Sequence, residues 1–191
     1  MDKSWNDEIR KACEVMQRGG VILYPTDTVW GIGCDATNAD AVHRVYEIKR
    51  REDSKSMLVL VDSEVKVDFY VEEVPAVAWD LIELADKPLT IIYDGARNLA
   101  SNLIAADGSV GIRVTREEFS KGLCARFRKA IVSTSANISG EPAAATFAEI
   151  SSEILSAVDY VVGCRHDEQG GAKPSSIVRL GAHGEIKVIR Q

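Results

Sequence analysis

Cysteine and histidine are sparse in these 191 residues, and neither is clustered. The four cysteines, Cys13, Cys34, Cys124 and Cys164, form no C-x-x-C pair. That spacing argues against a disulfide-stapled scaffold and a cysteine-built zinc site, and leaves buried thiols as the expected state. His43, His166 and His183 are equally scattered, so no protein-held metal is expected. Positive charge is also short: 23 Lys and Arg against 29 Asp and Glu leave a net charge of −6. This argues against binding nucleic acid through overall charge, although one local basic cluster, KRREDSK at 49–55, is present. No apolar run approaches the roughly 20 residues of a membrane span. The charged N-terminus, MDKSWNDEIRKACEVM, has no signal-peptide core, so a cytoplasmic protein is expected. With no internal repeat, linker or low-complexity tract, residues 1–191 are expected to form a single domain.

What is present is an interleaving of helical and strand patterns. Trp5, Ile9, Cys13 and Met16 fall on one helix face that Gly19-Gly20 closes. Residues 21–24 (VILY) read as a strand, followed by a polar loop over 25–38. Asn38 is placed to cap a helix over about 39–50. MLVLV at 57–61 is a continuous apolar run, as in a strand buried on both faces. Pro75 opens a helix carrying Val77, Ala78, Leu81, Ile82 and Ala85. LTIIY (89–93) and SVGIRV (109–114) read as strands, and 117–128 as a helix weakened by Gly122. AIVS (130–133) and YVV (160–162) are further strands, and Thr146 with Glu149 suggests a capping box between them. Residues 163–174 form a glycine-rich loop, and SIVRL with EIKVI closes the chain as a hairpin across GAHG. The class is α/β with a mixed, largely buried sheet.

Polar residues gather where these strands end. VILY runs into Thr26-Asp27-Thr28, AIVS into Thr134-Ser135-Ala136-Asn137, and YVV into a loop ending Lys173-Pro174-Ser175-Ser176. In open α/β sheets ligands bind outside strand ends. Ser, Thr, Asn and Gly also simply make turns, and both readings stand for any one loop. Lys49 and Arg51, at a helix end, reach a common phosphate if that end frays; otherwise they only favour the helix dipole. Arg113 lies inside the otherwise apolar VGIRV, where its charge needs a structural carboxylate or a bound anion. GIGCDA at 31–36 matches a dinucleotide fingerprint in letters, but the six residues from Pro25 to Trp30 separate it from the strand. No P-loop, Ser-His-Asp set or catalytic carboxylate pair is legible.

YPTDTVWGIG, KRR at 49–51, SVGIRV, STSANISGEP and PSSIV, in that order, resemble the YrdC/TsaC family of threonylcarbamoyl-AMP synthases, in its short single-domain form. The resemblance implies a YrdC-like twisted mixed sheet with flanking helices and a concave basic ligand-binding face. It implies that L-threonine, bicarbonate and ATP, with Mg²⁺ bound to the ATP, give threonylcarbamoyl-AMP and pyrophosphate for tRNA modification. Downstream tRNA threonylcarbamoyl transferase proteins would take the product, and weak tRNA binding is left open. By the same resemblance, Lys49 and Arg51 are catalytic. They bind ATP together with Lys55, Ser109, Ser135, Asn137 and Arg190. Thr26, Arg113, Ser133 and Ser175 contact threonine, and Trp30 is an apolar flank of that site. The sequence departs from the family at Glu52, Ser56, Leu60, Ala143 and Trp30. The alternatives are a YciO-like paralogue without the K-x-R and S-x-N pattern, or an RNA-binding protein using the same basic face.

Overall fold

The computed structural model describes residues 3–51, 57–169, 173–181 and 184–191. Helix α1 (Lys3–Gln17) leads into β1 (Ile22–Tyr24), β2 (Gly31–Gly33) and α2 (Ala39–Lys49). Then follow β3 (Leu58–Val61), α3 (Val65–Tyr70), α4 (Val77–Leu84), β4 (Leu89–Tyr93) and β5 (Val110–Val114). Helix α5 (Glu118–Phe127), β6 (Ile131–Ser135), α6 (Ser152–Ala157), β7 (Tyr160–Val161), β8 (Ser176–Leu180) and β9 (Ile186–Arg190) complete the order. Among the described residues the strands form one nine-stranded sheet, ordered β7-β1-β2-β6-β3-β5-β4-β8-β9. Three pairs are parallel (β1 with β7, β3 with β5, β4 with β8) and the other pairs antiparallel. The sheet is therefore mixed, as the alternating sequence pattern predicts.

Period-two alternation sorts each strand between two faces. Leu23, Ile32, Val59, Ile91, Ile112, Val132 and Val178 belong to one apolar cluster, covered by α2, α3, α4 and α6 through Val42, Val45, Val67, Ala78 and Ile154. On the opposite face, Ile22, Tyr24, Leu60 and Ile131 pack against α1 and α5 through Ile9, Cys13, Met16, Phe119 and Leu123. Those two helices cover only part of the second face. Beyond them the alternating positions turn polar or small: Thr90, Gly111, Arg113, Ser133, Ser135 and Arg179 stand where the apolar pattern would otherwise continue. A cavity follows from this change of composition.

Several local expectations are corrected. Residues 31–33 are not loop but strand: β2 pairs with β1 and β6 at the heart of the sheet. Gly33 is required there, because a Cβ would meet the Val132 carbonyl and the Tyr24 ring at 2.6 Å each. Thr146 and Glu149 make no capping box. Thr146 precedes a single 3-10 turn (Phe147–Glu149) without a side-chain cap, and Glu149 instead accepts from the Ala145 amide at 2.7 Å. Ser151 caps α6 by accepting from the Ile154 amide. Helix α3 was not anticipated. Asn38 caps α2 as expected, accepting from the Asp40 and Ala41 amides at 3.1 Å. Gly122 does not break α5, whose N-terminus Glu117 caps by accepting from Phe119 and Ser120 amides. Cys13, Cys34 and Cys124 are buried free thiols, and Cys164 is partly exposed. Among the described residues no helix is long and apolar enough to cross a membrane.

Candidate active site

The open part of the second face holds a cavity of about 470 Å³. Its walls come from the loop before β2, the second residue after α2, β3–β5, β6 with its following loop, and the β8–β9 hairpin. Among the described residues four arginines reach it, Arg51, Arg113, Arg179 and Arg190, against one carboxylate side chain, Glu141. The net negative chain therefore concentrates positive charge at one place.

Arg51 arrives there through a sharp turn rather than a frayed helix end. Arg50 adopts left-handed φ of 49°. The Arg50 amide then donates to Glu47 O and the Arg51 amide to Tyr46 O, closing α2. The turn separates the two cations that the sequence suggested act side by side. Arg51 lines the cavity, its guanidinium lowered below the ordinary arginine value by burial. Lys49 points behind the cavity wall. Its Nζ donates to Ser135 O at 2.5 Å and to Asn137 O at 2.7 Å, with Asn137 Oδ1 at 3.4 Å. Burial and the adjacent Arg51 charge push its ammonium down to about 8, while the three oxygens around Nζ work in the opposite sense. Ser139 N donates to Lys49 O at 2.9 Å, so the post-β6 loop is tied to the end of α2 from both sides.

Strand β6 presents Ser133 and Ser135 to the cavity, and the loop after it presents Asn137. Asn137 Nδ2 is held by the carbonyls of Ile138 and Glu141. Ser109 lines the cavity too; its amide and hydroxyl both donate to Asp107 Oδ1, at 3.1 and 2.6 Å. Asp107 is in turn held by Arg179, and the two sets of bonds bring its carboxyl down to about 2. Ser175 shares a hydrogen bond of 2.8 Å with Thr90, and its carbonyl accepts from Arg190 Nε and Nη2.

The loop before β2 divides its work differently from the sequence reading. Thr26 is 4% exposed and stands behind the wall. Its hydroxyl donates to Val29 O at 2.7 Å and accepts from the Thr28 amide at 3.1 Å, which makes the turn. Thr28 and Val29 are the residues that reach the cavity. Trp30 is no flank of this cavity. It lies in the apolar cluster on the opposite face, with ring centroids 4.8 Å from Phe147 and 5.4 Å from His166. Asp27 pairs with Arg113 at 3.0 Å. The structural carboxylate that the arginine needed is therefore the residue next to Thr26, and Arg113 still lines the cavity.

Lys55, with the departures at Glu52 and Ser56, lies outside the described residues. The sequence reading gave no site role to Thr90, Asp107 or Arg179, and named Asp27 and Thr28 only within the polar Thr26-Asp27-Thr28 segment. Arg179 had the same signal as Arg113, a charge alternating with apolar residues in a strand (SIVRL). Asp107 stands in an Asp-Gly pair ahead of β5, which by itself reads as a turn.

An α/β sheet carrying a cavity of this size, rich in arginine and hydroxyl groups, defines a binder of small multiply charged anions. The chain belongs to the Sua5/YciO/YrdC family, whose sequence model, described as "Telomere recombination", matches residues 14–191. A threonylcarbamoyl-AMP synthase of Pseudomonas aeruginosa (strain UCBPP-PA14) is 33% identical over 176 residues, 92% of this chain and 93% of that one. Among solved structures, E. coli YciO superposes with a TM-score of 0.83 at 24% identity, over 96% of this chain and 88% of that one. P. abyssi Sua5 complexed with L-threonine gives 0.82 at 23% identity, over 94% of this chain and 52% of that one. The two structures confirm the fold.

Proposed function

We propose that this chain is a threonylcarbamoyl-AMP synthase: it joins L-threonine, bicarbonate and ATP, releases pyrophosphate, and supplies threonylcarbamoyl-AMP for tRNA modification. The observation that carries the reading is the convergence of Arg51, Ser135 and Asn137 with Arg113, Ser133 and Ser175 on one cavity. In this reading residues 1–191 act as one YrdC-like domain. Arg51 and Arg190 offset the triphosphate charge and that of the departing pyrophosphate, and Ser109, Ser135 and Asn137 hold the nucleotide. Lys49 acts from behind, by fixing the carbonyls of the Ser135–Asn137 loop and adding a positive field. Lys55 is assigned to the nucleotide by family likeness alone. Arg113 takes the threonine carboxylate, with Ser133 and Ser175 beside it. Thr26 serves the threonine side through the turn that sets Thr28.

The chemistry asks for positioning and charge neutralisation rather than a covalent nucleophile. Mg²⁺ would travel with ATP. The donor set fits that role, since the cavity offers Glu141 as its one carboxylate side chain and no group of three or more metal-ligating side chains occurs among the described residues. When bound, the ion would neutralise phosphate charge on oxygens the nucleotide itself supplies. The product is a reactive acyl adenylate, so tRNA threonylcarbamoyl transferase proteins are the partners that consume it, and the cytoplasm is the compartment.

The test is pyrophosphate release from the pure protein with ATP, Mg²⁺, bicarbonate and L-threonine. Release that depends on both threonine and bicarbonate is expected, and its absence would sink the reading. Arg51→Ala should lower turnover at least tenfold, or about 1.4 kcal/mol in the barrier. Wild-type turnover in that variant would make the arginine a solvated helix end. RNA binding as the main activity would instead appear as affinity for tRNA falling steeply with salt.

A further inference from the structure

Arg113 and Asp27 form an incomplete pair. Nη2 of Arg113 lies 3.0 Å from Asp27 Oδ1, and the arginine is 3% exposed. The contact lacks hydrogen-bond geometry: among the described residues, Asp27 Oδ1 and Arg113 Nε are both buried without a hydrogen-bond partner. Among the described residues this guanidinium makes one long hydrogen bond, 3.4 Å from Nη2 to the Thr28 hydroxyl. One edge of a buried guanidinium is thus held loosely by charge, and the Nε edge is uncommitted.

Asp27 also borders a second cavity, of about 240 Å³, on the opposite side of β4 and β5. Ile82, Ile91, Tyr93 and Ile112 are among its apolar walls, and Asp86, Lys87, Arg116 and Glu117 stand at its polar end. The Arg113–Asp27 pair is therefore a partition between two cavities. Other charges near Asp27 are committed elsewhere. Glu117 spends its oxygens on the amides of Phe119 and Ser120 and on Arg165, and Arg116 donates to the carbonyls ending α4. Tyr24 and Cys124 complete the surroundings, both buried and with their ionisation pushed up. Burial already holds the Asp27 carboxyl above the ordinary carboxylate range, against the pull of Arg113.

We propose that Asp27 is a displaceable counter-ion for Arg113, so that a threonine carboxylate docking on Arg113 from the larger cavity drives a proton onto Asp27. The inference rests on the threonine reading above and adds proton coupling to it. Two carboxylates on one buried guanidinium carry a net negative charge. A like charge within roughly 4–6 Å strongly raises one of the two pKa values. Asp27 is the one that yields, since it lacks hydrogen bonds to Oδ1 and faces a cavity through which a proton can arrive. Protonated, it stays in place as a neutral wall.

Calorimetric titration of the full chain with L-threonine, without nucleotide, in two buffers of different ionisation enthalpy measures the protons taken up. Between about pH 6 and about pH 8, where threonine keeps its charge, we expect uptake of about half a proton or more per threonine. The apparent Kd should rise with pH, by up to about tenfold per unit. Asp27→Asn should abolish the uptake and flatten the profile to within about twofold, with affinity at the upper end equal to or better than wild type. Lys49, which titrates near about 8 behind the other wall, is unchanged in that variant and so is subtracted. A merely structural brace would instead weaken binding by the same factor at every pH. Should the variant not fold, wild-type uptake at about pH 6, where Lys49 is already protonated, decides the matter. Threonine bound without proton uptake overturns the proposal and leaves the function standing. No threonine bound at any pH, together with no threonine-dependent pyrophosphate release, overturns the function, and the proposal with it.

Discussion

Lys49 is 2% exposed and still ends in an ammonium. The sequence placed it on a helix end and suggested a group reaching out to phosphate. It could not show the left-handed turn at Arg50 that sends Lys49 inward and Arg51 outward, because nothing in K-R-R specifies which residue takes the positive φ. In place, Lys49 satisfies the carbonyls of Ser135 and Asn137. Lys49→Met should leave both unpaired, at a cost of about 1–3 kcal/mol for a buried polar group, read by denaturant unfolding. Pyrophosphate release should fall at least tenfold as the loop loses its anchor. The ammonium also carries a pH signature. Its value of about 8 in the folded protein lies below the ordinary 10.5, so the unfolded chain holds a proton that the folded chain gives up between them. Stability from this group is present above the ordinary value and is lost as pH falls through about 8. A triphosphate favours the ammonium and reverses the exchange. ATP binding near about pH 8.5 should take up a fraction of a proton in wild type and none in Lys49→Met, by the same two-buffer calorimetry. Equal uptake in both proteins would place the titrating group elsewhere.

At the scale of elements, LTIIY, SVGIRV and SIVRL were legible because β-branched residues and alternation agree there. β2 was not. Its sequence is Gly-Ile-Gly, and glycine carries low strand propensity, so only packing reveals why it pairs. β1, β2 and β6 approach so closely that Gly33 has no room for a side chain. Gly33→Ala should therefore cost about 1–3 kcal/mol by overpacking, lowering Tm by several degrees, whereas Gly31, where a Cβ would meet nothing nearer than 3.4 Å, should accept alanine at less cost. Matching melting temperatures for the two variants would contradict this account. Helix α3 escaped notice for a different reason. It is only six residues long and leaves Val65 77% and Phe69 58% exposed, so its apolar residues do not mark a buried face. The polar strand ends were legible individually, but the sheet order that brings β6, β3, β5, β4 and β8 side by side was not.

For the whole molecule, the net charge of −6 says little about the site, because the fold segregates its charges. Arginines from the α2 end, β5, β8 and β9 converge on one cavity although 139 positions separate Arg51 from Arg190 in the chain. Family motifs identified three of the four; their convergence is a property of the folded sheet. This arrangement separates two kinds of electrostatics. Arg190 is exposed and Arg51 partly so, while Arg113 is buried. Charges near solvent are screened within a Debye length of about 10 Å at 0.1 M salt and about 3 Å at 1 M, but buried ones are screened much less. Raising salt from about 0.1 M towards 1 M should therefore raise the KM for ATP several-fold. The KM for threonine, whose carboxylate is assigned to Arg113, should change by less than about twofold. Steady-state pyrophosphate release, with one substrate varied and the others saturating, measures both. A threonine KM as salt-sensitive as that of ATP would mean the carboxylate sits at an exposed arginine, and Arg113 would lose its assigned role.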